Sequence, residues 1–131
     1  MRTSLLVVVV EDEPLILEMV REALEEAGFE VLSATSSRSA EEKIGAADEI
    51  VGLITDVRLG RGPDGWELAR AVRTARPGLP VVYMTGDSAG EWSAHGVPRS
   101  LIVQKPFAVG QVVAALTGLL NELDSTPAGS A

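Results

Sequence analysis

The chain has 131 residues, 46 % of them hydrophobic and only 4 % aromatic, which sizes it as about one domain with a core of Val, Leu, Ile and Ala rather than stacked rings. It carries no cysteine, which excludes disulfides, thiolate catalysis and cysteine-bound zinc and fits a reducing compartment. A net charge of −8, with 11 basic residues scattered singly, disfavours direct contact with a nucleic-acid backbone.

Residues 5–10 (LLVVVV) form an unbroken apolar run, the mark of a parallel strand buried on both faces, and predict the central strand. The run stops at Glu11-Asp12-Glu13, too short for a signal peptide's core or a membrane span, so the expected protein is soluble, cytoplasmic and without membrane contact. Pro14 suits a first helical turn, and Leu15, Ile16, Met19, Val20, Ala23, Leu24 and Ala27 recur at helical spacing until Gly28 ends the helix. Residues 30–34 predict a short second strand. Residues 37 to about 46 predict a more polar helix near the surface, with Ala40, Lys43 and Ile44 inward.

Residues 50–55 read as the third strand, 56–64 as a loop with Gly60, Gly62 and Pro63, and 65–76 as a helix striped by Trp66, Leu68, Ala69 and Val72. Pro77-Gly78 breaks the chain and Pro80 leads into a strand at 81–85. Residues 86–99 are loop-like with only a weak helix, and 100–103 are the fifth strand. After Lys105-Pro106 the last helix carries Val109, Val112, Val113, Leu116, Leu119, Leu120 and Leu123 at three- and four-residue intervals. The expected domain is 1–123, with 124–131 a disordered tail, and Met1 just before the first strand argues for a complete protein.

Five strands alternating with helices predict an α/β fold: a parallel sheet with helices on both faces, because parallel connections need right-handed crossovers. In such a sheet ligands bind beyond the carboxyl ends of the strands. Strand one ends in Glu11-Asp12, strand three in Asp56, strand four in Thr85, and strand five just before Lys105, one of two lysines. Neighbouring strands are about 4.8 Å apart, so three carboxylates from strands one and three would crowd one pocket if those strands are adjacent. A hard divalent cation relieves that repulsion, and Mg²⁺ suits oxygen ligands that leave room for water and phosphate.

With VVVVEDEP, LITDVRLG, VVYMTG and VQKPF in order at four strand ends, the chain resembles response-regulator receiver domains from residue 5 to about 123. The resemblance implies a flavodoxin-like (βα)5 three-layer sandwich whose five-stranded parallel sheet has the order 2-1-3-4-5. It implies a phosphoacceptor in a two-component system or phosphorelay, Asp56 attacking the phosphorus of a phosphohistidine on a sensor histidine kinase or histidine phosphotransfer protein. Asp12, Asp56 and the backbone carbonyl of Arg58 would bind Mg²⁺, with Glu11 acting largely through water. Lys105 would pair with a phosphoryl oxygen, the Thr85 hydroxyl would swing onto another, and Lys105-Pro106 would be a cis peptide. The implied activity is a switch in protein–protein contacts and not an enzyme's turnover, beyond self-catalysed transfer and dephosphorylation. The sequence departs from the family's pattern twice. Ile102 stands where an aromatic switch residue is usual, and the segment 88–98 is short for a fourth helix.

Each residue also has a plainer reading: acids at a helix start complement its dipole, an Asp after a strand caps a turn, and lysines are mostly solvated. Such residues gathered at four strand ends favour function. Arg58 and Asp87, each two residues past a site position, read equally as pocket-flanking residues that tune phosphate lifetime or as ordinary surface. His95, the only histidine, reads as a loop residue and Trp66 as packing, while Trp92 reads evenly as an exposed anchor or a buried one. A haloacid-dehalogenase-type phosphatase is a rival, but it needs an acid where Arg58 stands. An FMN binder would need hydroxyls where Glu11-Asp12 stand, and a receiver-shaped module that is never phosphorylated is the third alternative. Pairing of two copies through the last helix, excision from a hybrid kinase and the identity of the output partner stay open.

Overall fold

Five strands, β1 (Leu6–Val10), β2 (Glu30–Ala34), β3 (Gly52–Asp56), β4 (Val81–Thr85) and β5 (Ser100–Gln104), lie parallel in one sheet of order β2-β1-β3-β4-β5. They alternate with α1 (Pro14–Glu26), α2 (Ser37–Ala46), α3 (Gly65–Ala75), α4 (Trp92–His95) and α5 (Val109–Ser125). This is the flavodoxin-like order that the motif pattern implied. The structure is a computed structural model that describes residues 5–60 and 62–125, with backbone alone for 123–125.

Alternation along the strands sorts the valines of β1 into two cores. Val8 and Val10 face one side, with Leu53 and Tyr83, against Ala40 and Ile44 of α2 and Trp66, Leu68, Ala69 and Val72 of α3. Val7 and Val9 face the other, with Ile54, Val82 and Met84, against Val20 and Leu24 of α1 and Val112, Leu116 and Leu119 of α5. Since β1 is sealed on both faces, its run of valines needs no polar alternation.

Some expected inner faces are narrower than their apolar spacing suggested. In α1 the inward line is Ile16, Val20 and Leu24 with Leu17, four residues apart, so Leu15, Met19 and Ala27 fall on the solvent side. Leu15 is 73 % exposed. In α2 Lys43 is exposed, and its ammonium reaches back to the Ser33 carbonyl, 2.6 Å, while Ser37 takes the inner position. β3 begins at Gly52, where its pairing with Val7 begins, and includes Asp56 as its last residue.

The stretch 86–99 holds a 3₁₀ turn at Ala89–Glu91 and the four-residue α4, the weak helix its composition predicted. Trp92 resolves as a partly buried residue: its indole N–H donates to Ser100 Oγ at 3.0 Å. The last helix continues through Ser125, past the expected boundary at 123. Leu123's side chain and the remaining tail, 126–131, lie outside the described residues. No helix among those described is long and apolar enough to cross a membrane.

Candidate functional site

The adjacency of β1 and β3 makes the site. Glu11 directly follows β1 and its amide donates to Ala34 O of β2, which holds the backbone in line while its side chain turns fully inside. Glu11 Oε2 accepts the Glu13 amide at 3.0 Å, tying the start of α1 to this carboxylate. Asp56 ends β3 and is 6 % exposed, whereas Asp12 is open to solvent. One carboxylate oxygen from each of Glu11, Asp12 and Asp56 falls within 4.8 Å of the others.

Lys105 comes from the far side of β4. Its amide donates to Thr85 O at 2.7 Å, extending the β4–β5 ladder, and the next peptide bond, Lys105-Pro106, is cis. Its ammonium lies 3.0 Å from Glu11 Oε1, 3.2 Å from Asp56 Oδ2 and 3.6 Å from the exposed Glu13. Fully ionised, the carboxylates of Glu11, Asp12 and Asp56 would outnumber the one ammonium by two charges in a space of a few ångströms. Burial pushes the Glu11 carboxyl up to about 7, against the hydrogen bond from Glu13 and the Lys105 ammonium, with the Asp56 charge adding to the rise. Burial also raises Asp56, Lys105 opposing it and the Asp12 charge adding to it. For Lys105 burial acts downward, but the hydrogen bond to Glu11 and the charges of Asp56 and Glu11 outweigh it and hold the ammonium above its usual value.

The donor set fits a hard divalent cation: all-oxygen, two charges in excess when ionised, one member exposed for approach. A stability test follows from the sign of these shifts. Glu11 holds its proton in the folded chain up to about 7 but loses it near 4.5 when unfolded, so the native state binds more protons between those values. In chelator, urea-denaturation stability should therefore fall as pH rises from about 4.5 to about 7, by on the order of 1–3 kcal/mol, and millimolar Mg²⁺ should flatten the fall. Stability that rises across that window in chelator contradicts this reading of the cluster.

Asp56 is also fixed from behind. Gly65 opens α3, and its amide donates to Val57 O at 2.7 Å. A Cβ at Gly65 would stand 2.2 Å from Asp56 O and 2.9 Å from Val57 Cα, both backbone. Gly65→Ala should therefore displace the Asp56 backbone, costing about 1–3 kcal/mol in chemical denaturation. Mg²⁺ affinity, measured on the same variant, should fall with it.

Thr85 closes the third side. It lines a cleft of about 440 Å³ with Asp12, Asp56, Arg58, Asp87 and Lys105. Its Oγ1 faces its own loop, accepting the amides of Ser88 at 2.8 Å and Asp87 at 3.2 Å. At the rim Arg58 Nε donates to both oxygens of Asp87 at 3.0 Å, an exposed pair that holds the Asp87 carboxyl below the usual range.

Glu11, Asp12, Asp56, Thr85 and Lys105 thus meet, and the Arg58 side chain turns to Asp87. Ile102 lies apart, half-buried opposite Tyr83 in the β4–β5 register. His95 stands 6.0 Å, centroid to centroid, from the Trp66 ring on the α3 side. Sequence reasoning missed Tyr83. Its buried ring packs 4.5 Å from Trp66 and its hydroxyl accepts the Val97 amide at 3.1 Å. The signal was there: Tyr83 precedes Thr85 by two and so shares its face of β4.

A family model described as the response regulator receiver domain matches residues 7–117. The chain is 36 % identical to a probable transcriptional regulatory protein, TcrX, of Mycobacterium tuberculosis, over 95 % of this chain and 53 % of that protein. It is 32 % identical to a response regulator receiver protein of Anaeromyxobacter, over 89 % of this chain and 46 % of that one. The chain spans about half the length of these curated relatives. Among solved structures, a response regulator receiver protein from Sinorhizobium medicae superposes with a TM-score of 0.86 at 37 % identity, covering 90 % of this chain and 95 % of that one.

Proposed function

The chain belongs to the response regulator receiver domain family, and we propose on that footing that Asp56 accepts a phosphoryl group from a partner's phosphohistidine and that the resulting aspartyl phosphate switches protein–protein contacts. Receiver domains are signalling modules phosphorylated by histidine kinases. The observation that carries the reading is the Lys105 ammonium shared between Glu11 and Asp56 in a cluster that brings a third carboxylate, Asp12, to the same place.

A carboxylate oxygen of Asp56 attacks the phosphorus in line, an O–P bond forms as the P–N bond breaks, and the freed imidazole nitrogen takes a proton from solvent. Lys105, already 3.2 Å from Asp56, stabilises charge on a phosphoryl oxygen. Glu11, Asp12, Asp56 and the backbone carbonyl of Arg58 would hold Mg²⁺, which when bound neutralises the transferring oxygens. Thr85 lines the same cleft and supplies a hydroxyl that turns to the phosphoryl group. Arg58 stands two residues after the nucleophile, ion-paired to Asp87, and offers no general acid, which disfavours a haloacid-dehalogenase mechanism. The setting is the cytoplasm, and the donor is a sensor histidine kinase or a histidine phosphotransfer protein.

Incubation with acetyl phosphate tests the reading by intact mass. One phosphoryl increment in Mg²⁺ and none in chelator is the expected result. No increment in either would mean an interaction module that is never phosphorylated.

A further inference from the structure

We propose that the end of the sheet opposite the phosphorylation cleft docks an acidic, leucine-bearing peptide segment of a partner protein. Its aliphatic side chains enter a groove between the α3–β4 turn and α5, and its carboxylates meet Arg76 and Arg99. Ile50 and Val51 precede β3, Leu79 precedes β4 and Leu120 belongs to α5; with Arg76 they line an open groove of about 320 Å³. Asp56 and Thr85 close the same two strands at their other ends, five residues on, a separation of roughly 17 Å. A partner held in the groove leaves the cleft free, and the site does not depend on Asp56 being the phosphoacceptor.

Charge around this groove is the reverse of the chain's net −8. Arg73 spans three backbone carbonyls, Leu79 O at 2.8 Å, Pro98 O at 2.6 Å and Arg99 O at 3.2 Å. Arg76 holds Ile44 O at 3.2 Å and Ala47 O at 3.1 Å. These acceptors are neutral, so the bonds fix the guanidiniums and leave their charge uncancelled. Among the described residues no ion pair joins Arg73, Arg76 or Arg99 to a carboxylate, not even to Asp48 or Glu49 beside Ile50. Burial, and then the neighbouring Arg99 charge, hold Arg73 below the usual guanidinium value.

Capping of carbonyls accounts for Arg73 and Arg76 but not for Arg99. That residue is exposed, and it is the one non-glycine residue among those described with a positive φ, 56°. Glycine or asparagine takes this left-handed conformation at less cost, so stability alone would favour either over arginine. The Arg99 guanidinium lies over the Gly78 turn, where a Cβ would stand 3.6 Å from its Nη2. Positive groups beside an apolar floor match a ligand that carries both carboxylates and aliphatic side chains. A nucleic-acid backbone has the charge without the apolar part, and the acidic remainder of the chain repels it.

The test is an NMR titration of the whole ¹⁵N-labelled chain with the peptide acetyl-Asp-Glu-Leu-Leu-Glu-Asp-amide. Its controls replace the leucines by alanine or the acids by their amides. The leucine peptide should shift the Gly78, Leu79 and Arg99 resonances and leave Thr85 and Lys105 in place, and each control should bind at least about tenfold more weakly. Arg99→Gly should lower the affinity roughly five- to tenfold while keeping or raising the melting temperature, since it removes the left-handed arginine together with its charge. Arg99→Glu should lower the affinity further, and both variants should gain phosphoryl mass from acetyl phosphate as the wild type does. Shifts confined to other faces, equal affinity in Arg99→Gly, or equal binding of the alanine peptide overturn the proposal. So does movement of the same resonances when the protein alone is concentrated, which would give the groove to a second copy.

Discussion

Asp56→Asn should leave the chain folded and abolish phosphorylation, with no mass increment under conditions that give the wild type one. The substitution keeps the shape, and the amide oxygen can still accept from Lys105, which lies 3.2 Å from the native carboxylate. What it removes is the anionic nucleophile and one of the three charges that call for a cation. Burial holds Asp56 above the usual carboxylate range, so its ionised form is a cost to the fold. A neutral residue there should leave the melting temperature equal or higher in chelator, while Mg²⁺ should raise it less than in wild type. An Asp56→Asn chain that still gains the phosphoryl mass would move the acceptor elsewhere.

Lys105→Ala should damage both chemistry and fold. It strips the only ammonium that the described residues place beside a Glu11 that is fully buried and an Asp56 nearly so. Losing one partner of such a buried pair costs about 3–5 kcal/mol when the remaining charge stays ionised. The loss should depend on pH. Without the ammonium, Glu11 holds its proton to higher pH than its native value of about 7, so urea denaturation in chelator should show a smaller deficit at pH 5 than at pH 8. Phosphorylation by acetyl phosphate should slow by about 10²–10³-fold, the usual effect of removing a donor aimed at developing charge. A deficit that is the same at both pH values, with an unchanged rate, would show that Lys105 is an ordinary surface lysine.

The architecture was legible because the chain states it plainly. A strand sealed on both faces must be continuously apolar, and the run that forms β1 is; Gly28, Pro77-Gly78 and Pro106 mark breaks between other strands and helices. The acids were legible for a related reason, since charge directly abutting a buried strand is expensive anywhere except at a ligand site. Side-chain direction was the part the sequence could not carry. Leu15 and Met19 repeat at helical spacing yet face water, because the helix needs only the line through Ile16, Val20 and Leu24 to seal against the sheet. Lys43 looked inward by the same spacing and instead lies on the surface with its ammonium on Ser33 O. The hold of Thr85 on the Asp87 and Ser88 amides follows from a rotamer, and the Tyr83–Val97 bond joins residues 14 apart through a turn no periodicity describes.

The central claim is that one carboxylate, at the end of β3, becomes an acyl phosphate. Treating the wild type with acetyl phosphate and Mg²⁺, trapping the acyl phosphate by borohydride reduction and mapping the peptides locates it directly. The account predicts modification at Asp56 alone; modification at Glu11 or Asp12, or a phosphoryl increment that resists reduction, would contradict it.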